Sequence, residues 1–541
     1  MDDFFLSDAV TISGRYLILP ISPEATRRFI TISDETGPIG EFGAFLDFEN
    51  PRFRMYYPVD RYFGKIVTFR VEPALSVDFT FTDILPKPTA EEAPYRPFLH
   101  FTTAYGWIND PNGMTYHNGL YHLYYQHNSG GILMDSENTS WGHAVSEDMI
   151  GWREVGDALF PDHRGSCYSG GAVSDTRNVS GFGKDGKPPL LLYYTAAARR
   201  VGISKGQKFV QCLLYSTDDG KTVQPYEENP IIPHIEAANR DPKVIWCEEI
   251  RAYLLVLYLD RSDFVFFRSD DLVHWTEHQR FTLPEDKECP NLMPLRIEGS
   301  DEHRWVFIGA ADRYVVGNFN SGMYEIEAGP YRYHYTGGGS CYSYASQCFD
   351  NLGGRQVRMA WQHLPVPDCC FRSQLTVPCE LSLFPLNGEL RLRSLPVAEL
   401  DAYRTATDCY TFTATEKETF SIPLEKAAYD LTLSVTDGDS DITLSLFGLT
   451  VTLAIRDNKL RYNNAEIPLR HSEDVPTLRL LSDVCSAELF ADNGLVYGTT
   501  YHIADYTQNT LTVTASNSSM TLSVSKLKAV DMYQPPVFTE T

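Results

Sequence analysis

Basic residues are scarce in this chain of 541 residues: 46 lysines and arginines stand against 71 aspartates and glutamates, a formal net charge of −25. A protein of this charge repels phosphate backbones and acidic lipid surfaces. Long apolar runs are lacking as well, because the longest candidate, residues 190–198, is about half the length that a membrane-spanning helix needs. We therefore expect neither nucleic acid nor membrane as a partner, whereas a small neutral substrate is compatible with the charge.

Paired cysteine motifs and an export signal are also missing. The eleven cysteines are an odd number without C-x-x-C spacing, and Cys369 and Cys370 are adjacent, which prevents an unstrained bridge between them. Residues 1–5 are acidic, and no apolar run of the kind found in a secretion signal follows them. From these absences we predict reduced thiols and a cytoplasmic protein.

The composition favours a well-packed β-rich protein, because aromatic residues reach 13% and charged residues only 22%. The length exceeds what one hydrophobic core supports, so several domains are expected. Four prolines within twelve residues predict a stiff linker over residues 86–97, and a domain boundary is placed there. These prolines are Pro86, Pro88, Pro94 and Pro97.

Alternation of apolar and polar residues marks strands on both sides of the centre. The alternating runs are 15–19, 28–32 and 76–82 near the amino terminus, and 430–435, 441–446 and 520–524 near the carboxyl terminus. A period of two with turn residues between the runs predicts antiparallel β-strands. We predict a small β domain at residues 1–85 and a β-sandwich at residues 400–541.

The central region, residues 98–395, repeats one phrase rich in serine and aspartate. Residues 146–152, 216–222 and 269–275 each follow an apolar run. Their separation of roughly fifty to seventy residues is typical of a four-stranded propeller blade. The pattern predicts a β-propeller of about five blades, with chance recurrence of a turn sequence as the alternative.

The chain contains two Asp-Pro pairs, and the first is Asp110-Pro111. Proline disfavours the helical region for the residue before it, and Asn112-Gly113 favours a turn. We therefore expect a strand to end at Asp110, with its carboxylate held at the bend. An ordinary surface turn is the alternative.

Two further acids, Asp241 and Glu288, have neighbours in the sequence that would shift their pKa values. Asp241 begins the second Asp-Pro pair, and the adjacent Arg240 is expected to hold its carboxylate ionised. Glu288 lies close to the apolar Leu292 and Met293, and apolar surroundings would let a glutamate keep its proton to higher pH, as a general acid must. Three acids in three separate blades converge only at the axis of a propeller, where such folds bind ligands.

The acids lie in patterns that closely resemble the three signatures of glycoside hydrolase family 32, the invertases, levanases and inulinases. These are residues 107–113 (Trp-Ile-Asn-Asp-Pro-Asn-Gly), 240–242 (Arg-Asp-Pro) and 288–290 (Glu-Cys-Pro), in that order. Further similarity lies at residues 141–146, 168–172, 357–361 and 488–494, so that the resemblance covers residues 98–535 approximately.

The resemblance implies a five-bladed propeller followed by a β-sandwich, which acts on β-linked fructofuranosides with retention of configuration. It implies Asp110 as the nucleophile, Glu288 as the general acid/base and Asp241 as a stabiliser of the transition state. The carboxyl groups of a retaining pair are expected about 5–5.5 Å apart. The family positions that contact the fructosyl unit are matched by Asn109, Gln126, Tyr168, Ser169 and Arg240, with Trp107 and Trp361 as candidates for an apolar wall. Core packing is the alternative for both tryptophans.

Some residues depart from the family pattern. After Gln126 the family usually has Asn-Pro and then a tryptophan that closes the sugar pocket, whereas residues 127–134 contain neither. Gly171 and Cys379 also replace a common serine and a common arginine. These changes bear on substrate size and affinity and leave the three acids in place. The N-terminal region lies outside the family's common core, and it would be an oligomer contact or a brace for the propeller rather than a sugar-binding module.

Two patterns in the sequence could indicate a cofactor or metal site, but the residues around them do not support either. Residues 181–186 match G-x-G-x-x-G, but Lys187-Pro188-Pro189 follows where a dinucleotide site needs a helix, so a hairpin loop is expected. Four histidines between residues 117 and 143 lack the carboxylate or cysteine spacing of a metal site. We expect no cofactor.

The sequence thus predicts a glycosidase that removes terminal β-D-fructofuranosyl residues from sucrose or short fructo-oligosaccharides. A levan- or inulin-specific fructanase and a fructosyltransferase share its chemistry and are alternatives. A propeller that binds sugar without cleaving it is an alternative of another class. A homo-oligomer through the N-terminal or C-terminal β domain is left open.

Overall fold

The computed structural model describes residues 3–199, 202–336, 343–463, 465–470 and 476–533. Regular structure in these ranges is almost entirely β-strand, with short 3₁₀ helices at Asp60–Tyr62, Ala398–Tyr403 and Asp492–Gly494. The all-β fold class is therefore confirmed. In the described part of the chain, no helix is long and apolar enough to span a membrane.

The amino-terminal strands form two small sheets, called here the N-terminal sheets. Their strands are β1 (Phe5–Leu6), β2 (Val10–Thr11), β3 (Tyr16–Ile21), β4 (Arg28–Asp34), β5 (Gly37–Ala44), β6 (Phe53–Pro58), β7 (Ile66–Glu72) and β8 (Thr80–Thr82). One sheet has the order β1-β7-β4-β5 with β2 beside β7, and the other has the order β6-β3-β8. Alternate residues such as Leu17, Leu19 and Ile30 are fully buried between them, as the period of two predicts.

One N-terminal strand is shorter than predicted. The run at 76–82 is a strand only over Thr80–Thr82, which pairs with β3. Val77 and Phe79 instead pack irregularly against the core of the N-terminal sheets. The expected strand was wrong over its first half because burial of these side chains, rather than strand pairing, fixes that segment.

The proline-rich stretch contains no strand, and none of residues 83–105 is in regular structure. It is nevertheless packed against the rest of the protein. Arg96 donates hydrogen bonds to the carbonyl oxygen of Ala104 at 2.8 Å, and the Cys370 amide donates to the carbonyl of Glu92 at 2.8 Å. Cys369 and Cys370 are both free thiols and are buried.

Residues 106–396 hold five sheets of four main antiparallel strands in the described chain. The strands are β9 (Gly106–His117), β10 (Leu120–Asn128), β11 (Ser140–Ser146) and β12 (Arg153–Leu159); β13 (Ser166–Ser174), β14 (Leu190–Ala197), β15 (Val210–Ser216) and β16 (Gln224–Pro225); β17 (Arg240–Cys247), β18 (Ala252–Asp260), β19 (Asp263–Ser269) and β20 (Thr276–Thr282); β21 (Asn291–Arg296), β22 (His303–Ile308), β23 (Arg313–Asn320) and β24 (Met323–Arg332); and β26 (Ser343–Cys348), β27 (Val357–Gln362), β30 (Cys379–Leu386) and β31 (Glu389–Pro396). Three short strands are added: β25 (His334–Thr336), β28 (Phe371–Arg372) and β29 (Gln374–Leu375).

The first strands of these sheets close a ring. Each of β9, β13, β17, β21 and β26 contacts the first strand of the next sheet, and β26 returns to β9. Ring closure of radial sheets is the arrangement of a β-propeller. Side chains at the starts of the first strands are therefore brought together around one axis.

The repeated serine phrase marks one position in three of the sheets, because it begins at the last residue of β11, β15 and β19. In each case the serine hydroxyl donates to the aspartate two residues later, which closes the turn out of the third strand. The pairs are Ser146 with Asp148 at 3.1 Å, Ser216 with Asp218 at 2.8 Å and Ser269 with Asp271 at 3.0 Å. The recurrence has a structural cause and is not chance.

The residues from 404 onward form two packed sheets. Their strands are β32 (Arg404–Ala414), β33 (Glu418–Pro423), β34 (Tyr429–Gly438), β35 (Ile442–Leu446), β36 (Leu449–Ala454), β37 (Lys459–Tyr462), β38 (Ala465–Pro468), β39 (Thr477–Ser482), β40 (Ser486–Ala491), β41 (Val496–Tyr501), β42 (Thr510–Ala515) and β43 (Ser518–Leu527). One sheet has the order β25-β41-β40-β39-β34-β43-β32, and the other has the order β33-β42-β35-β36-β37-β38. The three strands predicted here are all present.

A buried charged cluster joins this sandwich to the propeller. His100 lies between the carboxylates of Asp483 and Glu488, each 2.8 Å from one of its ring nitrogens. Although burial lowers the pKa of His100, the hydrogen bonds that its ring donates to both acids raise it overall to about 9. The conspicuous motif at residues 488–494 therefore serves the junction between the two parts.

The G-x-G-x-x-G match is a hairpin loop. Lys184 and Lys187 form an antiparallel bridge around Asp185 and Gly186, both of which have positive φ. No helix follows it, so the expected hairpin is confirmed.

Candidate active site

Asp110 lies inside a strand and not at its end, so the expected strand end was wrong. β9 runs unbroken from Gly106 to His117, with irregular pairing to β10 around Pro111. β9 is the innermost strand of its sheet, and Pro111 lies on a stretch with no partner on the axial side, where its missing N–H breaks no ladder. The local bulge, rather than a strand end, turns Asp110 toward the axis.

A chain of polar side chains orients the carboxylate of Asp110. Ser169 donates to its Oδ2 at 2.6 Å, and Asn109 Nδ2 donates to its Oδ1 at 3.2 Å. Gln126 in turn donates to Ser169 Oγ at 2.6 Å and accepts a short hydrogen bond from Asn109. Burial raises the pKa of Asp110, while the bonds from Ser169 and Asn109 lower it, and the balance is a raised value. Both donors stabilise the ionised form, which a nucleophile requires.

Asp241 occupies a strained backbone position at the start of β17, with φ of 65°. Its amide donates to Thr195 Oγ1 at 3.0 Å, and its Oδ2 accepts from the Cys289 amide at 3.0 Å. Burial raises its pKa to about 7, although Arg240 and the Cys289 amide both lower it. Burial therefore outweighs the neighbouring guanidinium, and the expectation that Arg240 keeps Asp241 fully ionised was wrong.

The raised pKa of Asp241 predicts a pH-dependent stability that Asp241→Asn removes. The Asp241 carboxyl has a folded pKa near 7 and an unfolded pKa near 3.8, so the contribution of its protonated form to stability is fully present below the lower value. As pH rises toward 7 this contribution is lost, and the free energy of unfolding falls by at most ~4 kcal/mol. Asp241→Asn should therefore melt several degrees above the wild type at pH 8 and close to it at pH 4. Melting followed by circular dichroism measures this, and a difference that stays constant with pH would contradict it.

Arg240 pairs mainly with Glu288. Its Nη2 lies 2.8 Å from Glu288 Oε1, whereas its Nε lies 3.7 Å from Asp241 Oδ2. Tyr344 donates to Glu288 Oε2 at 2.8 Å, and Lys287 Nζ lies 3.2 Å from Oε1. Burial raises the pKa of Glu288, but Arg240, Tyr344 and Lys287 together lower it by more. The net result is a pKa below the usual value of a glutamate. The expectation that apolar surroundings hold its proton was wrong for the free protein, because the nearest groups are donors and cations.

The three acids share one cavity of about 350 Å³ with most of the predicted binding residues. Of the ten predicted site residues, nine line this cavity: Trp107, Asn109, Asp110, Gln126, Tyr168, Arg240, Asp241, Glu288 and Trp361. The tenth, Ser169, lies behind Asp110 and bonds to it. The tertiary structure therefore brings the whole predicted set together.

Trp107 and Trp361 both line the cavity and pack in the hydrophobic core. The rings of Trp107 and Trp361 meet edge to face with centroids 5.8 Å apart, and both belong to the largest buried cluster. Trp107 Nε1 also donates to Asn109 Oδ1 at 3.0 Å, which connects the wall to the polar chain around Asp110. The alternative of core packing and the predicted wall are thus both realised.

Several residues of the cavity carried no signal that the sequence analysis used. Tyr344 comes from the fifth sheet, Phe209 from the segment before β15, and Met134, Asp135 and Ser136 from the segment between β10 and β11. Cys289 was noticed only as part of a signature, yet its Sγ lies 3.5 Å from Asp241 Oδ2 and 3.7 Å from Asp110 Oδ2. Its position between the two acids became visible only in three dimensions.

A propeller with three carboxylates and an arginine at its axis defines a glycosidase, in which paired acids flank a glycosidic bond. The profile described as "Glycosyl hydrolases family 32 N-terminal domain" matches residues 100–394. The chain belongs to glycoside hydrolase family 32, and the resemblance seen in the sequence is confirmed.

Named relatives share part of the chain. The levanase of Bacillus subtilis (strain 168) is 33% identical over 336 residues, which are 57% of this chain and 48% of that protein, so the match spans about half of the levanase. The extracellular exo-inulinase of Aspergillus niger is 30% identical over 413 residues, which are 66% of this chain and 75% of that protein.

Solved structures share the fold. The exo-inulinase of Aspergillus awamori superposes with a TM-score of 0.71 at 24% identity, over 80% of this chain and 98% of that chain. A fructofuranosidase from Schwanniomyces occidentalis complexed with fructose gives a TM-score of 0.68 at 23% identity, over 84% of this chain and 100% of that chain.

Proposed function

We propose that this protein hydrolyses terminal β-D-fructofuranosyl residues of sucrose or short fructo-oligosaccharides with retention of configuration. The observation that carries the proposal is the meeting of Asp110, Asp241, Glu288 and Arg240 in one cavity. Family membership and the names of the relatives, which include levanase, exo-inulinase and invertase, support a fructoside as substrate.

The proposed nucleophile is Asp110. Its Oδ1 and Oδ2 accept from Asn109 and Ser169, so the carboxylate is oriented before substrate arrives. Attack on the anomeric carbon would form a covalent fructosyl-enzyme with inversion, and water would release fructose with a second inversion. Two inversions give net retention.

The proposed acid/base is Glu288, which must carry a proton when the glycosidic bond breaks. Burial raises the pKa values of Asp110 and Asp241, and Arg240 lowers that of Glu288 after burial has raised it, so the three carboxyls titrate as a coupled set. Sugar hydroxyls that accept hydrogen bonds from Arg240 would weaken its ion pair with Glu288, which would raise the pKa of Glu288 and let it take up the proton that it donates. Asp241, once ionised, accepts hydrogen bonds from the ring hydroxyls as positive charge develops.

We also propose that the five sheets are the five blades of a catalytic domain at residues 98–395, with separate β domains at 1–85 and 400–541. The closed ring of first strands supports the blade count. The cytoplasmic location stays a prediction from composition, and some relatives carry the word extracellular in their names. The oligomeric state stays a prediction as well.

A panel of sugars tests the proposed function. Sucrose, kestose, inulin and levan are incubated separately with the protein, and the products are followed by chromatography while the anomer first released is read by NMR. Free fructose released initially as the β anomer from sucrose and kestose is the expected result. Oligomers alone would indicate an endo-acting fructanase, longer sugars would indicate a transferase, and no turnover of any sugar would favour the binding propeller.

A further inference from the structure

The segment between β10 and β11 forms one rim of the active-site cavity, and it lies where the family usually places a closing tryptophan. Met134, Asp135 and Ser136 line the cavity beside the three acids. In this rim, called here the rim loop (residues 128–139), Ile132 is buried in the core of the N-terminal sheets, whereas Met134 is 62% exposed. Polar contacts hold the part of the rim loop around Met134.

A bidentate ion pair fastens the rim loop to the N-terminal sheets. Arg27 Nε lies 2.7 Å from Asp135 Oδ2, and Arg27 Nη2 lies 3.1 Å from Asp135 Oδ1. The Asp135 carboxylate is 10% exposed and also accepts from the Glu137 amide at 3.2 Å. A guanidinium that grips both oxygens of a carboxylate fixes its orientation as well as its distance.

A second contact connects the rim loop to the neighbouring strand β5. Asn138 Nδ2 donates to the carbonyl oxygen of Gly43 at 3.1 Å and to Asn128 Oδ1 at 2.6 Å. Gly130 approaches the same Gly43 carbonyl so closely that a Cβ there would lie 3.0 Å from it. Two residues of the rim loop therefore meet β5 at the Gly43 carbonyl.

β5 also contacts the segment that precedes β15. Glu41 accepts from the Ile203 amide at 2.9 Å and forms a fully buried ion pair with Arg199. This segment leads to Phe209, whose ring packs edge to face on Tyr168 in the cavity wall, with centroids 5.7 Å apart. The strand β5 thus contacts both the rim loop and the segment that precedes Phe209.

The rim loop separates two cavities. Met134, Tyr344 and Trp361 line both the cavity with the three acids and a second one of about 490 Å³, whose other lining residues include Arg332 and His334. A sugar chain that passed from the acids into the second cavity would lie against Met134, Tyr344 and Trp361. Of these three residues, Met134 belongs to the rim loop.

We propose that the N-terminal sheets are a specificity element of the active site, with Arg27 as the positioning residue that fixes the rim loop against the part of the substrate beyond the fructosyl unit. The inference deepens the proposed function and rests on it for the identity of the substrate. Arg27 itself does not line the cavity; it acts through its bidentate contact with Asp135, and Glu137 Oε2 lies 4.0 Å from its Nη2. The rim loop carries none of the three acids, so we expect the effect in substrate affinity.

The first test compares Arg27→Ala and Arg27→Lys with Arg28→Ala as the matched control. Arg28 is the next residue and donates only within the N-terminal sheets region, to the carbonyl of Pro73 at 2.9 Å and that of Ala74 at 3.2 Å. Arg27→Ala should raise KM for kestose about tenfold, with kcat within about twofold, since a tenfold change corresponds to ~1.4 kcal/mol. Arg27→Lys keeps the charge but cannot make the bidentate contact, so its KM should lie between those of the wild type and Arg27→Ala. The KM of Arg28→Ala should match that of the wild type.

The second test removes the partner as well. The double variant Arg27→Ala with Asp135→Asn should have nearly the same KM as Arg27→Ala alone. Both substitutions remove the same contact, so their effects on KM should not add. Hydrogen exchange followed by mass spectrometry should show faster exchange of the rim-loop amides in Arg27→Ala and not in Arg28→Ala.

The outcomes separate the inference from the proposed function. If the wild type hydrolyses no fructoside, the proposed function fails, and hydrogen exchange alone decides whether Arg27 holds the rim loop. If the wild type is active and Arg27→Ala keeps both its KM and its exchange rates, the inference is overturned. Equal effects of Arg27→Ala and Arg28→Ala would also overturn it, because they would indicate general weakening of the N-terminal sheets.

Discussion

Asp110→Asn should lower kcat for sucrose and kestose by about 10⁴-fold or more, as removal of a nucleophile does in other hydrolases. The amide has nearly the same shape as the carboxylate and can still accept from Ser169, which donates to Asp110 at 2.6 Å. Burial raises the pKa of Asp110, so the folded state favours a neutral group at this position. The variant should therefore fold as well as the wild type, which thermal melting checks.

Asp270→Asn is the matched control for this loss. Asp270 lies just after β19, its side chain is 79% exposed, and its ion pair is with the surface residue Arg268 at 3.4 Å. An exposed pair of this kind contributes little, so activity and melting temperature should both stay at the wild-type values. Turnover by Asp110→Asn above about one hundredth of the wild-type rate would remove Asp110 from the role of nucleophile.

Glu288→Gln should lower kcat by about 10²–10⁴-fold, because the departing oxygen would receive no proton from the enzyme. The variant should also lose the alkaline limb of the pH–rate profile, since that limb reports the proton that Glu288 carries in the complex. Stability should fall, because Arg240 loses its ion pair; the single amide oxygen can still accept from Arg240, and the amide nitrogen can donate to the Tyr344 hydroxyl. Initial rates between pH 4 and pH 9 measure both effects.

Glu285→Gln provides the control three residues upstream. Glu285 is 60% exposed and pairs with Arg313 at 3.2 Å, away from the cavity. Its variant should keep the full bell-shaped profile. If Glu288→Gln retained more than a tenth of the wild-type kcat, the acid would have to be sought elsewhere, and Asp241, with its pKa raised by burial to about 7, would be examined first.

The site residues were predictable because their signals are local. Asp-Pro occurs in this chain only at Asp110 and Asp241, and Glu288 lies in the signature Glu-Cys-Pro. Acids in three separate repeats meet only at a common axis. All ten predicted residues reach the same site. The strands were predictable for a similar reason, since burial of one sheet face imposes a period of two on the sequence.

The electrostatics of the site were not predictable, because they depend on neighbours distant in the sequence. Glu288 was expected to keep its proton on the basis of the apolar residues that follow it. In the fold its carboxylate accepts from Tyr344, 56 residues away, and pairs with Arg240, 48 residues away, and these partners lower its pKa after burial has raised it. The backbone at Asp241, Glu288 and Cys289 has φ of 65°, 56° and 39°, a left-handed conformation that surrounding packing alone imposes on such residues.

The sequence by itself determined the all-β class, the repeated sheets and the identity of the three acids, because side-chain period, turn chemistry and short motifs are properties of neighbouring residues. Only the tertiary structure decided in which direction the pKa of each acid shifts, which cation faces which carboxylate, and what contacts the rim of the cavity. The contact of Arg27 with Asp135 joins residues 108 positions apart. Such contacts depend on how whole sheets pack together, and no local pattern in the chain encodes them.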